Sequence, residues 1–179
     1  DGSHRFLRPL LSFCHATAGR VAAAQAAGAI SDWSPADNAV KSLRRDVHAL
    51  LKQADYDYQR IQYNTVVSAG MKLLNTLDDA KVDGKYGDAA LAEGLQILLS
   101  VLYPIVPHLT WHAWRDLGFA DTRGDLLDAA WPQVDEAALV TDEVELMLQV
   151  NGKLRGSLSV PSAADKAAIE ALAVTHEAV

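Results

Sequence analysis

The sequence predicts a mainly α-helical protein, a bundle of about five helices followed by a small α+β piece made of a β-hairpin and a helix. Three observations predict it. Thirty of the 179 residues are alanine and long stretches lack glycine and proline, which raises helix propensity. Up to about Leu117 the apolar side chains recur at three and four. Beyond Trp131-Pro132 that period changes to strict alternation. The expected division is residues 1–135 for the helical part and 136–179 for the rest.

The first helix is expected from Phe6 to Ala27 with Gly28 as its stop, and Pro9 either sits in its first turn or kinks it. For the second, Ser34 serves as the cap, Pro35 as the first helical residue and Asp37 completes the capping pattern, with the helix reaching Arg60. Its positions Val40, Leu43, Val47, Leu50, Leu51 and Ala54 form a buried face, while Lys41, Arg45, His48 and Lys52 line another. Asn64 is expected to cap a third helix with a stripe of Val67, Gly70, Met71, Leu74 and Leu77, ending before a turn-rich segment, Val82 to Asp88. The fourth, Ala89 to Leu102, is apolar nearly all round and belongs in the middle of the bundle. After Pro104 and Pro107 comes a short helix, His108 to Leu117, stopped by Gly118.

The alternation of Val144, Leu146, Leu148 and Val150 predicts a strand, and Leu154 to Val160 its hairpin partner around Asn151-Gly152. A plain two-residue turn would set Leu148 opposite Arg155. A three-residue or bulged connection sets Leu148 opposite Gly156 and Leu146 opposite Leu158, keeping the apolar positions on one face and Lys153 at the tip. Ser162 and Asp165 are expected to cap a last helix through Val174. A hairpin and one helix bury too little to stand alone, so the last domain is expected to be cut short, its open edge mobile or paired between copies.

Net charge is −7, from 16 basic and 23 acidic side chains, which argues against a basic nucleic-acid coat. Residues 41–72 are the exception, with Lys41, Arg44, Arg45, Lys52, Arg60 and Lys72 against Asp46, Asp55 and Asp57. Cations at successive helical turns match phosphate spacing along one strand, although a solvated face is the commoner meaning of such a run. The single cysteine, Cys14, can form no internal disulfide, no segment reaches membrane-spanning length and the start lacks a targeting pattern, so a cytoplasmic setting is expected.

No catalytic constellation or metal site emerges. His108 and His112 have zinc-sharing spacing, but Leu109 stands where a protease needs glutamate. Cys14 and His15 do not face each other on a helix, and Cys14 reads as a buried small hydrophobe. Asp55, Asp57, Asp78 and Asp79 read as solvated helix surface. Gly84-Lys85-Tyr86-Gly87 matches a backbone-clamping GxxG, yet the strands of that fold are missing and a plain loop is the better reading. Trp111 and Trp114 read as core.

Several stretches together resemble the bacterial leucyl-tRNA synthetase family, downstream of its catalytic domain and over nearly the whole chain. They are Arg5-Phe6-Leu7-Arg8; Leu43 to His48 with Tyr63-Asn64-Thr65 and Met71 to Asn75; Pro104-x-x-Pro107-His108 with Trp114, Leu117-Gly118 and Trp131-Pro132; and, most specifically, Val150-Asn151-Gly152-Lys153-Leu154-Arg155-Gly156. The resemblance implies a class I anticodon-binding-type helical bundle and the start of the small C-terminal domain. Valyl, isoleucyl and methionyl enzymes share the bundle and are the alternative, together with a helical protein-interaction module that binds no RNA.

It implies a tRNA-binding piece of a leucine–tRNA ligase, with leucine tRNA and the catalytic and editing domains of the same chain as partners. ATP and magnesium would serve the full-length enzyme, while this piece holds no cofactor and is inactive alone, since the HIGH and KMSKS signatures are absent. It also raises Lys41, Arg44, Arg45, Lys52 and Arg60 to expected phosphate or ribose contacts, with a carboxylate partner as the other role for Arg44. Lys153 and Arg155 are expected at the tRNA elbow. Asn64 is a cap in this reading, and Tyr63 and Met71 are core.

Overall fold

The computed structural model describes residues 2–140, 143–150, 153–161, 166 and 169. They form helices α1 (Gly2–Ala27), α2 (Asn38–Gln59), α3 (Tyr63–Asp78), α4 (Gly84–Leu102), α5 (Pro107–Asp116) and α6 (Phe119–Arg123), then strands β1 (Glu143–Val150) and β2 (Lys153–Pro161). The chain divides into two compact units, residues 1–139 and 140–179. The turn at 136–139 stays with the helical unit, because Asp135 and Glu136 carry ion pairs to α2.

In the helical unit α4 is central and packs against α1, α2, α3 and α5. Leu91, Leu95, Ile97, Leu98, Leu99, Val101 and Leu102 are all buried, as a helix apolar on every side requires. Close approach of α3 and α4 depends on missing side chains: a Cβ on Gly70 would lie 2.6 Å from Leu102 Cδ2. Cys14 lies in this core, and burial pushes its thiol up to about 12, so it packs as a small hydrophobe. Trp114 is fully buried, with its indole N–H donated to the Gly124 carbonyl at 3.0 Å.

Several boundaries differ from expectation. α1 starts at Gly2 and runs through Pro9. α2 begins after Asp37, whose carboxylate accepts from the Val40 amide at 2.8 Å, rather than at Ser34, whose amide and hydroxyl are spent on Asp32 in a preceding turn. α3 is preceded by Gln62 with no side-chain cap, so Asn64 lies inside the helix. Its buried stripe is Val66, Ala69, Gly70, Leu73, Leu74 and Leu77, a shift that leaves Met71 and Tyr63 exposed.

The GxxG at 84–87 is the first turn of α4 rather than a loop, and Gly87 is needed there because a Cβ would meet the Val82 backbone at 2.8 Å. α5 starts on Pro107 and stops at Gly118, which takes φ +76; α6 follows where no helix was expected. Among the described residues no helix is long and apolar enough to cross a membrane.

In the second unit β1 and β2 pair antiparallel, with Leu146 opposite Leu158 and Leu148 opposite Gly156 as the apolar pattern demands. A bulge achieves this register. Gln149 pairs with Leu154 and Val150 with Lys153, so Arg155 is the extra residue and Lys153 is the first residue of β2 rather than the tip. Residues 151 and 152, and the expected caps Ser162 and Asp165, lie outside the described residues. Among those described, the sheet has two strands.

Candidate nucleic-acid interface

The expected basic face belongs to α2, and helical geometry sorts its cations. At about 100° per residue, Lys41, Arg45 and Lys52 fall within an arc of about 40°, and Arg60 lies about 60° beyond it. Arg44 falls on the other side of Lys41, toward α4. The structure separates these groups by burial and partner.

Arg44 is 5% exposed. Its Nε donates to Glu93 Oε2 at 2.6 Å, its Nη2 donates to Glu93 Oε1 at 3.0 Å and to Asp135 Oδ2 at 2.8 Å, and its guanidinium stacks on Trp33 at 4.0 Å. The guanidinium is held by two carboxylates and covered by an indole, so of the two roles expected for Arg44 the carboxylate partner is the observed one. His48, placed with the basic face by spacing, is also buried. Its Nδ1 accepts the Asp135 amide at 3.1 Å, which leaves the proton on Nε2, 3.2 Å from Glu93 Oε1.

Burial pushes the Glu93 carboxyl up, but hydrogen bonds from His48 and Arg44, with the charge of Arg44, outweigh it and hold the group below the usual carboxylate range. The Arg44 hydrogen bond does the same for Asp135. Both carboxyls are depressed in the folded state, so their contribution is complete above the unfolded value near pH 4 and is lost as pH falls through the lower folded values. Acid titration followed by circular dichroism should show unfolding starting below about pH 4, and Glu93→Gln should flatten that limb.

The remaining cations of α2 are accessible and loosely held. Lys52 Nζ reaches Glu136 at 2.9 Å with both side chains more than half exposed. Arg45 bonds Ser42 Oγ at 2.9 Å and sits 3.7 Å from Asp46, and Lys41 donates to the Ser34 carbonyl at 2.9 Å. Exposed pairs of this kind are worth about 0–1 kcal/mol, so a phosphate can replace the partner at small cost.

At the end of α2 the chain turns through Ile61, which has φ +58. The Ile61 amide donates to the Tyr58 carbonyl and the Gln62 amide to that of Asp57, the two-bond closure that usually has glycine at its left-handed position. A left-handed L-residue costs roughly 1–2 kcal/mol, and β-branching makes isoleucine a poor choice. Around the corner Tyr56, Tyr63 and Trp131 are exposed. Arg60 donates to Tyr56 Oη at 2.8 Å with its guanidinium 5.2 Å from the ring centroid. Tyr58 stands edge-on to Trp131 and Tyr63, and its hydroxyl, pushed up to about 12 by burial, donates to the Val101 carbonyl. Trp131 donates to Asp55 at 2.7 Å.

Sequence reasoning missed the Trp33–Arg44–Glu93–His48–Asp135 network and this aromatic corner. Glu93 carried a usable signal, since it is the one charged residue between Ala89 and Leu102 and a lone charge on an apolar helix needs a partner. Asp57, read as solvated, is 2% exposed because it borders Leu50 on the helix circumference and accepts from Gln53. Lys153 and Arg155 belong to the other unit. Among the described residues no group of three or more metal-ligating side chains occurs, and the histidines at 108 and 112 are exposed.

Comparison with known proteins gives a consistent set of likenesses. The family described as the anticodon-binding domain of tRNA ligase matches residues 41–171. Over its full length the chain is 63% identical to Leucine–tRNA ligase of Bordetella petrii, 61% to that of Bordetella pertussis and 56% to that of Herminiimonas arsenicoxydans, spanning 20% of each. Its fold is similar to that of the Agrobacterium radiobacter K84 agnB2 LeuRS in a ternary complex with tRNA and LeuAMS. The TM-score is 0.77, over 98% of this chain and 22% of that one, at 20% identity.

Proposed function

Because the chain belongs to the family of tRNA-ligase anticodon-binding domains, we propose that it is the tRNA-holding part of a leucine–tRNA ligase and that the exposed arc of α2 grips the backbone of leucine tRNA. The observation that carries this reading is the separation of cations on one helix. Arg44 is locked inward by two carboxylates, while Lys41, Arg45 and Lys52 share one accessible arc with only weak partners. Arg60 extends that arc toward the α3 corner, and Lys153 and Arg155 are the contacts of the hairpin unit. Arg44 is not among the contacts.

In this reading leucine is joined to tRNA with ATP and magnesium, and mischarged products are edited, by parts of a cytoplasmic enzyme outside this sequence. The identity to leucine–tRNA ligases supports the leucine assignment over other class I enzymes. Phosphate and ribose contacts fix position without reading sequence. Leucine tRNAs carry several anticodons, so a backbone grip suits them all.

Titration of the chain with leucine tRNA across a range of salt tests the proposal. Binding should weaken steeply as salt rises, and a leucine tRNA with a substituted anticodon should bind equally well. Anticodon-dependent affinity would contradict the backbone grip. Absence of any competition by phosphate polymers would favour a protein-interaction module instead.

A further inference from the structure

We propose that Ile61, at the corner between α2 and α3, is a docking residue for an unpaired base of RNA: a strained backbone holds its apolar side chain out to solvent at a helix end that also carries exposed Tyr56 and Tyr63 and the stacked Arg60 guanidinium. The inference deepens the preceding reading and rests on it.

Ile61 is 71% exposed, so core packing does not account for it, and glycine would close the same turn without strain. A residue held in a disfavoured conformation, with no packing that requires it, points to a use outside the fold. Its surroundings indicate which use. Tyr56 and Tyr63 are 52% and 53% exposed, and Arg60 lies over the Tyr56 ring with its hydrogen bond to the hydroxyl fixing the stack.

Of the nearby anions, Asp55 accepts from Trp131 and Glu136 holds Lys52, while Asp57 is buried out of reach of solvent, accepting from Gln53 through one oxygen and leaving the other unpartnered. One exposed apolar side chain next in sequence to a cation stacked on Tyr56, with Tyr63 exposed two residues on, fits a single splayed base with its phosphate, because every base offers a π face and an anion beside it.

The test is Ile61→Gly in the 179-residue chain, read by thermal unfolding and by titration with leucine tRNA and with a fully paired RNA duplex. The unfolding temperature should rise by about 2–4 °C as strain is relieved. Affinity for tRNA should fall about fivefold with loss of the apolar contact. Affinity for the duplex, which offers no splayed base, should not change. Unchanged tRNA affinity would overturn the assignment and leave the corner to a protein contact. An equal fall for tRNA and duplex would overturn the base contact, and a lower unfolding temperature would show that the side chain serves the fold. If the parent chain bound no tRNA, the preceding reading would fail and this one with it; binding that is indifferent to Ile61 would remove this one alone.

Discussion

Arg44→Ala is expected to lower the unfolding temperature of the helical unit by about 10 °C, the equivalent of about 3 kcal/mol or more. The size follows from what the substitution leaves behind. Glu93 would lose two of its three donors and Asp135 its guanidinium, while Trp33 would lose the cation it covers. Removing one member of a buried pair costs more than the pair contributes, because Glu93 keeps a charge that water reaches poorly, while the more exposed Asp135 loses less. Arg44→Lys should rescue little, since an ammonium cannot fork to both oxygens of Glu93 and stack on an indole as well. Calorimetry of the three proteins at neutral pH checks this. An Arg44→Ala protein as stable as the parent would mean the network is ornamental.

The double variant Arg45→Glu with Lys52→Glu should bind leucine tRNA about a hundredfold more weakly at low salt, and the slope of log affinity against log salt should shrink by about 2. Its unfolding temperature should move little, because both side chains are accessible and their ion pairs are of the weak surface kind. Filter binding or anisotropy over a salt series, with calorimetry alongside, separates lost contacts from lost structure. Full affinity with an unchanged slope would remove α2 from the interface. The contrast with Arg44 is informative in itself: three neighbouring cations on one helix are expected to divide into one that serves stability and two that serve binding.

Sequence made the periodic features legible. Helical repeats placed α2 and α4, the all-round apolar pattern put α4 at the centre, and strand alternation required the register that the bulge supplies. It failed where a local signal had two physical uses. Ser34-Pro35 reads as a helix start, but Asp32 takes the serine and Asp37 caps the helix. Tyr63 and Met71 look like core by residue type, yet a shift in the stripe of α3 turns them outward.

The site divided in the same way. Spacing found the cations, whereas the inward turn of Arg44 and His48 depends on Glu93 and Asp135, which lie 49 and 91 residues from Arg44 along the chain. No local pattern encodes such distant partners. The left-handed corner was hidden because the position that normally advertises itself with glycine holds isoleucine.

Arg44 also acts as a key in a shaft. α2 cannot roll about its own axis without drawing a charge out of its socket on α4, so the azimuth of Lys41, Arg45 and Lys52 is set before any ligand arrives. What a bound polyanion then has to freeze is a few side-chain rotamers and not a helix, and that smaller entropic toll lets a short row of weakly engaged cations hold on.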